Sequence, residues 1–341
     1  MSRAVAGMAT LAHVTRDGVV ESTHFGRVAV CAPDGRLLAS MGDPQGVQFW
    51  RSSCKPIQAL SVVTSGAADR FGLSERELAV CCASHSGSAM HLRTVAGLLE
   101  KLGLDASALQ CGVHWPGDAE ERNRLIRAGE QPSPLHNNCS GKHAGMLATC
   151  LALGADPALY LNHDHPVQRL IAGHLELLSA VPQDCWRVGR DGCGAPTVAM
   201  PLAGMARAFA RLVAPGDLPA DLRQATARIT AAMAAAPELV SAPGSFNTEL
   251  MRLTGGAVIA KGGAEGLFCM AVREQQIGIA FKVADGSARP DGPVAIELLR
   301  RARLELPEEL VARFARPEVS NCHGHVVGHI EPAELRLEMM A

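Results

Sequence analysis

Three apolar runs near the C-terminus, residues 257–260, 266–272 and 277–283, are joined through the short turns Gly262-Gly263 and Glu274-Gln275. Connections this short join neighbouring strands antiparallel, since a parallel pair needs a crossover of about a dozen residues. The runs therefore predict an antiparallel meander. Residues 4–14 and 27–40 also alternate or run apolar. Pro33-Asp34-Gly35 sits between Val28-Ala29-Val30 and Leu37-Leu38, which predicts an N-terminal hairpin. A last strand is expected over 324–330. Helical patterns fill the middle at 55–65, 89–102, 142–153, 166–179, 201–213, 221–235 and 244–254, with one more at 291–304. No repeat or low-complexity linker divides the chain. The expectation is one α+β domain over 1–341, a mostly antiparallel sheet with flanking helices. Its helical part, roughly 55–255, is inserted between N- and C-terminal strands.

Two segments read less simply. Ser74 with Glu77 three residues on is a capping box that opens a short helix. Leu78 to Cys82 then reads as a buried strand entering the polar turn Ala83-Ser84-His85-Ser86-Gly87. Residues 112–137 are polar and hold several prolines, and are expected to form a long functional loop with one helical turn. Trp186-Arg187-Val188 is a short strand entering a glycine-rich turn.

Composition narrows the partners. The 341 residues are 48% hydrophobic, enough for a large core, and carry a net charge of −2 with no long basic run. Only 4% are aromatic. Nucleic acid and an anionic membrane surface are both disfavoured. No stretch approaches the roughly 20 apolar residues of a membrane span. Residues 1–14 are interrupted by Arg3 and His13 and do not read as a signal peptide. Of the eleven cysteines, Cys81, Cys82, Cys150 and Cys269 sit in apolar runs, as expected of reduced, buried thiols in a cytoplasmic protein.

Chemistry concentrates at Arg51-Ser52-Ser53-Cys54-Lys55-Pro56. If Ser52 opens a helix, Lys55 lies one turn along the same face. A serine hydroxyl needs a base, and a lysine becomes one when burial or nearby positive charge lowers its pKa. The apolar run after Pro56 places Lys55 at the edge of a core. Alone, Ser-x-x-Lys also fits a capped helix with a solvated lysine. Ser84 lies in a glycine-containing turn. Lys261 ends an apolar strand at Gly262-Gly263, where it points into a cleft or guards a sheet edge. Asn137-Asn138-Cys139-Ser140-Gly141-Lys142-His143 and Asp191-Gly192-Cys193-Gly194 are dense in functional groups. Two cysteines on such turns suit zinc, with His143 the residue type first nominated beside them; buried or reactive thiols are the alternative. Asn162-His163-Asp164-His165-Pro166 reads as a helix start rather than a metal cluster.

Taken together these motifs resemble the rhizobial-type (class 3) L-asparaginases of the Asparaginase II family. The likeness rests on the segments around Ser52, Ser84, Cys139 and Cys193, and on Ala260-Lys261-Gly262-Gly263-Ala264-Glu265-Gly266. The resemblance implies a fold like serine β-lactamases and penicillin-binding proteins, a homodimer, and hydrolysis of L-asparagine to L-aspartate and ammonia. It implies two Ser-Lys tandems, Ser52 with Lys55 and Ser84 with Lys261, Lys282 being a competitor for the last place. It also implies zinc held by Cys139, Lys142 and Cys193, with water completing the shell and Asp191 close by, which displaces His143 from the ligand set. The expected chemistry has neutral Lys55 activate Ser52, and backbone amides at the start of its helix hold the oxyanion. Arg51, Asp191 and His143 are expected to bind substrate. Lys261-Gly262-Gly263 lacks the hydroxyl residue of Lys-Thr-Gly enzymes, which weighs against penicillin chemistry. A β-lactamase-like amidase or peptidase and a non-catalytic zinc protein are the rivals. Asparagine and glutamine differ by one methylene and are not separated by these motifs.

Overall fold

The computed structural model describes residues 7–340. The C-terminal meander forms as expected: Val258–Gly262, Leu267–Val272 and Ile277–Val283 pair antiparallel, with Val258 opposite Val272 and Leu267 opposite Lys282. Val19–Cys31 continues the sheet beside Ile277–Val283, followed by Ala9–Arg16, Val326–Pro332 and Glu318–Ser320. Leu37–Met41 and Glu338–Met339 complete nine strands, and every pairing is antiparallel. The expected N-terminal hairpin is thus two hairpins, because Asp17-Gly18 turns the chain before Pro33-Asp34-Gly35 does. Residues 4–6 of the first expected strand lie outside the described residues.

The strands of the meander are buried almost throughout, so helices must cover the sheet. Leu202–Val213 crosses Ile277–Val283 and Leu267–Val272. It comes so close at Gly278 that an added Cβ would sit 1.8 Å from the Ala206 carbonyl oxygen. The second layer is helical. Lys55–Thr64 is buried from Lys55 to Val63 and is enclosed by Ser140–Ala152, Pro166–Ser179 and Ala220–Ala235. A helix apolar all round is a core helix. Its N-terminal end meets the sheet through the tight turn Arg51–Cys54, which packs on Val258–Gly262 and Leu267–Val272. A small sheet of Val47–Phe49, Pro196–Pro201 and Arg187–Arg190 lies off the main one.

Three expectations are corrected. Leu78 to Cys82 is not a strand: the capping box is real, and the helix it opens runs through Glu75–Cys81. A short apolar run has no periodicity of its own, and the cap decides it. Ala119–Ala128, within the expected loop, is a full helix with Asp118 at its N-cap and Gly129 closing it left-handed. Ser52 does not open an α-helix but sits in the 3₁₀ turn before it.

Replacing Gly278 with alanine forces helix and sheet apart. We expect a loss of at least about 1–3 kcal/mol in denaturant unfolding, whereas Gly103→Ala, whose Cβ meets nothing, costs only the strain of its left-handed backbone.

Candidate active site

The polar turn after Glu75–Cys81 is pinned on both sides: Ser84 N–H donates to the Val240 carbonyl and His85 N–H to that of Asn138. His85 is buried and accepts the Gly87 N–H at Nδ1, so Nε2 carries its proton toward Ser140 Oγ, 2.8 Å away. Burial, with His91 stacked on it, holds His85 neutral, well below the usual histidine range. This fixes Ser84 Oγ at the junction of the two layers.

Two lysines converge on that oxygen. Lys55 Nζ is 2.9 Å from Ser84 Oγ and donates to the Ala83 carbonyl at 2.6 Å. Lys261 Nζ is 3.0 Å from the same oxygen and 2.7 Å from the Gly262 carbonyl. Lys55 is 1% exposed and Lys261 2%, so two amines share one hydroxyl out of water. Burial first, and the charge of Lys55 second, pull Lys261 down to about 7. Lys282 is not part of the cluster: it is half-buried and its amine bonds the Val283 carbonyl.

Ser52, Ser84 and Lys261 line one cleft of about 510 Å³, together with Asn138 and Gly263. Ser52 Oγ has no hydrogen-bond partner among the described residues. Lys55, expected to hold it, turns to Ser84 instead. Arg51, just before Ser52, has φ +47°, a strained conformation for a residue with a side chain. The turn is wedged against the lysine strand, for a Cβ on Gly263 would lie 2.7 Å from Ser53 Oγ and 3.2 Å from the Trp50 carbonyl. The amides expected to form an oxyanion hole are partly spent: Ser53 N–H donates to the Trp50 carbonyl.

The remaining expected residues divide. Arg51 Nε is 2.7 Å from Asp191 Oδ1, and neither side chain lines the cleft. They bind each other and thereby tie the Ser52 turn to the Asp191–Gly194 turn. Burial would raise Asp191, but Lys142 and Arg51 outweigh it and hold the carboxylate low. His143 is fully buried, faces Tyr160 Oη at 2.7 Å and does not line the cleft. Lys142 Nζ is 2.9 Å from Cys193 Sγ. The neighbouring Cys193 thiol, with the charges of Lys55 and Lys142, holds Cys139 well below the usual thiol range. All three side chains are buried. No three His, Cys, Asp or Glu side chains cluster among the described residues; two thiols and one amine do, a donor set that fits a borderline-soft cation. The sequence reading missed Asn247 and Asp291, which also line the cleft. Both stand in ordinary helical patterns, and nothing short of tertiary packing marks them.

A hydroxyl held between buried amines in a cleft is the equipment of a serine–lysine hydrolase. Residues 12–332 match the family model described as L-asparaginase II, and the chain belongs to that family, which makes it an amidohydrolase. Among solved structures the chain is similar to a β-lactamase from Mycobacterium bovis, at 15% identity over 82% of this chain and 95% of that one, with a TM-score of 0.44. It is also similar to a class C β-lactamase from Rhodobacter sphaeroides (15% identity, 82% and 95%, TM-score 0.43). A β-lactamase/D-alanine carboxypeptidase from Pseudomonas syringae matches at 13% identity, over 81% and 94%, with a TM-score of 0.43. No curated protein matches the chain.

With Lys261 neutral only above about pH 7, kcat/KM for amide hydrolysis is expected to fall about tenfold per unit as pH drops below that point, and to level off above it. A profile flat from pH 5 to 8 would remove Lys261 as the base.

Proposed function

We propose that this protein hydrolyses L-asparagine to L-aspartate and ammonia through an acyl-enzyme on Ser52. The observation that carries this is Ser84 Oγ, 2.9 Å from Lys55 and 3.0 Å from Lys261 in the cleft that Ser52 also lines. A hydroxyl bonded to two amines passes protons. Once substrate brings Ser52 Oγ against Ser84 Oγ, Ser52 gives its proton to Ser84 as Ser84 gives its own to neutral Lys261, and the Ser52 oxygen attacks the side-chain amide carbon. The proton returns by the same route to the departing nitrogen, ammonia leaves, and water then hydrolyses the β-aspartyl ester. The base is thus Lys261 rather than Lys55; Lys55 supplies the charge that keeps Lys261 neutral. The bond between Lys55 and Ser84 favours a second reading, in which Ser84 attacks and Ser52 assists.

Cys139, Lys142 and Cys193 would hold zinc, with the Lys142 amine and the Cys193 thiol each giving up a proton on binding. The ion would supply positive charge beside the cleft, and Arg51 with Asp191 would keep its turn aligned with Ser52. In this reading the protein is a cytoplasmic homodimer. All eleven cysteines are unpaired, which suits a reducing compartment. Val47, Phe49 and Val188 expose apolar surface on the small sheet for a second copy to cover. Among the described residues no helix is long and apolar enough to cross a membrane.

The test is ammonia release from L-asparagine and L-glutamine, with and without chelator. Ser52→Ala is expected to keep its circular dichroism and lose turnover by on the order of 10⁶. Retained turnover in that variant, with Ser84→Ala dead, moves the attack to Ser84. Cys193→Ser is expected to lose bound zinc; equal zinc content by metal analysis would remove Cys193 as a ligand.

A further inference from the structure

Two buried polar groups in the cleft are unspent, and they are of opposite kind. Asn247, in the first turn of Phe246–Leu253, is 8% exposed. Its Oδ1 accepts the Gly262 N–H at 2.8 Å, which fixes the amide beside the strand end that carries Lys261. Its Nδ2 is buried and donates to nothing among the described residues. Asp291 begins the helix Asp291–Arg301, and its Oδ1 is likewise buried without a partner. Among the described residues this carboxyl has no side-chain hydrogen bond and no ion pair. Both residues line the cleft that holds Ser52, Ser84 and Lys261.

Buried polar groups are ordinarily paired, and an exception calls for an explanation. Here the two exceptions belong to residues that line one cleft, and each orphan atom lies just beneath its wall. Neither orphan serves the fold: Asn247 bonds Gly262 through its other atom, and Asp291 bonds no side chain. Burial pushes the Asp291 carboxyl up to about 8, so it is poised to be drawn into its charged form by a cation brought to it.

We propose that Asp291 and Asn247 are the specificity residues for the amino-acid head of the substrate: Asp291 receives the α-ammonium group and Asn247 Nδ2 donates to the α-carboxylate. The side-chain amide is thereby directed toward the serine–lysine cluster. This assignment rests on the asparaginase reading, and it takes over the role that Arg51 and Asp191, bound to each other, do not fill. A site built this way rejects an analogue that lacks either charged group, because the protein group facing it stays unpaired.

The test uses asparagine and two truncations of it as competitive inhibitors: succinamate, which lacks the ammonium group, and 3-aminopropanamide, which lacks the carboxylate. Asp291→Asn is expected to raise KM for asparagine at least tenfold, to change kcat less, and to leave Ki for succinamate within twofold. Asn247→Asp keeps the acceptor for Gly262 and loses the donor; it is expected to raise KM for asparagine while leaving Ki for 3-aminopropanamide within twofold or lowering it. Equal losses for asparagine and for the matching truncation, or KM within twofold of wild type, overturn the assignment. The wild type gives a check that needs no variant: succinamate should bind at least tenfold more weakly than asparagine, and parity removes Asp291 from the ammonium. Wild-type protein that releases no ammonia from either amide would remove the hydrolase reading itself, and this assignment with it.

Discussion

One oxygen atom, Ser84 Oγ, holds two lysine amines away from water, and the site follows from that contact. Two ammonium ions this close, in a medium that screens poorly, repel strongly. The cheaper state has one amine neutral, and burial together with Lys55 assigns that state to Lys261. A neutral amine on a hydroxyl is a base in place before any substrate arrives. The arrangement needs no unusual residue, only three ordinary ones brought to one point from distant parts of the chain.

The fold is what brings them there. Lys55 comes from the start of a helix buried on all sides, Lys261 from the end of a buried strand, and Ser84 from a turn pinned by the carbonyls of Val240 and Asn138. Helical layer and sheet must approach closely for these to meet. Gly263 allows it at the site, where a Cβ would strike Ser53. Gly278 allows it behind the site, where Leu202–Val213 lies on the sheet. The Arg51–Asp191 ion pair then links the hydroxyl turn to the thiol turn. That pair is partly buried, so breaking it leaves a charge without its partner.

Much of this was legible in the sequence, and the exceptions have physical causes. The meander was readable because its turns are too short for a crossover. Ser52, Lys55, Ser84 and Lys261 stood out as residue types beside glycine, proline and apolar runs. Their pairing did not, since helical spacing predicts that Lys55 faces Ser52, whereas its amine reaches across to the neighbouring turn. Lys261 and Lys282 both lie on buried strands, and only the geometry shows which amine reaches Ser84 and which bonds its own backbone. The strand expected at Leu78 to Cys82 illustrates the ambiguity of a short apolar run, resolved by a cap four residues before it. Asn247 and Asp291 could not be read at all, for their interest lies in the partners they lack.

The central claim is a neutral Lys261 created by burial and by Lys55. Its most direct test is an NMR titration of the lysine side-chain amines, with Lys261 assigned through Lys261→Arg and the measurement repeated in Lys55→Met. The account predicts a midpoint near pH 7 for Lys261 that moves upward when Lys55 is removed. A midpoint near 10, where a solvated lysine titrates, unmoved by the loss of Lys55, would contradict it.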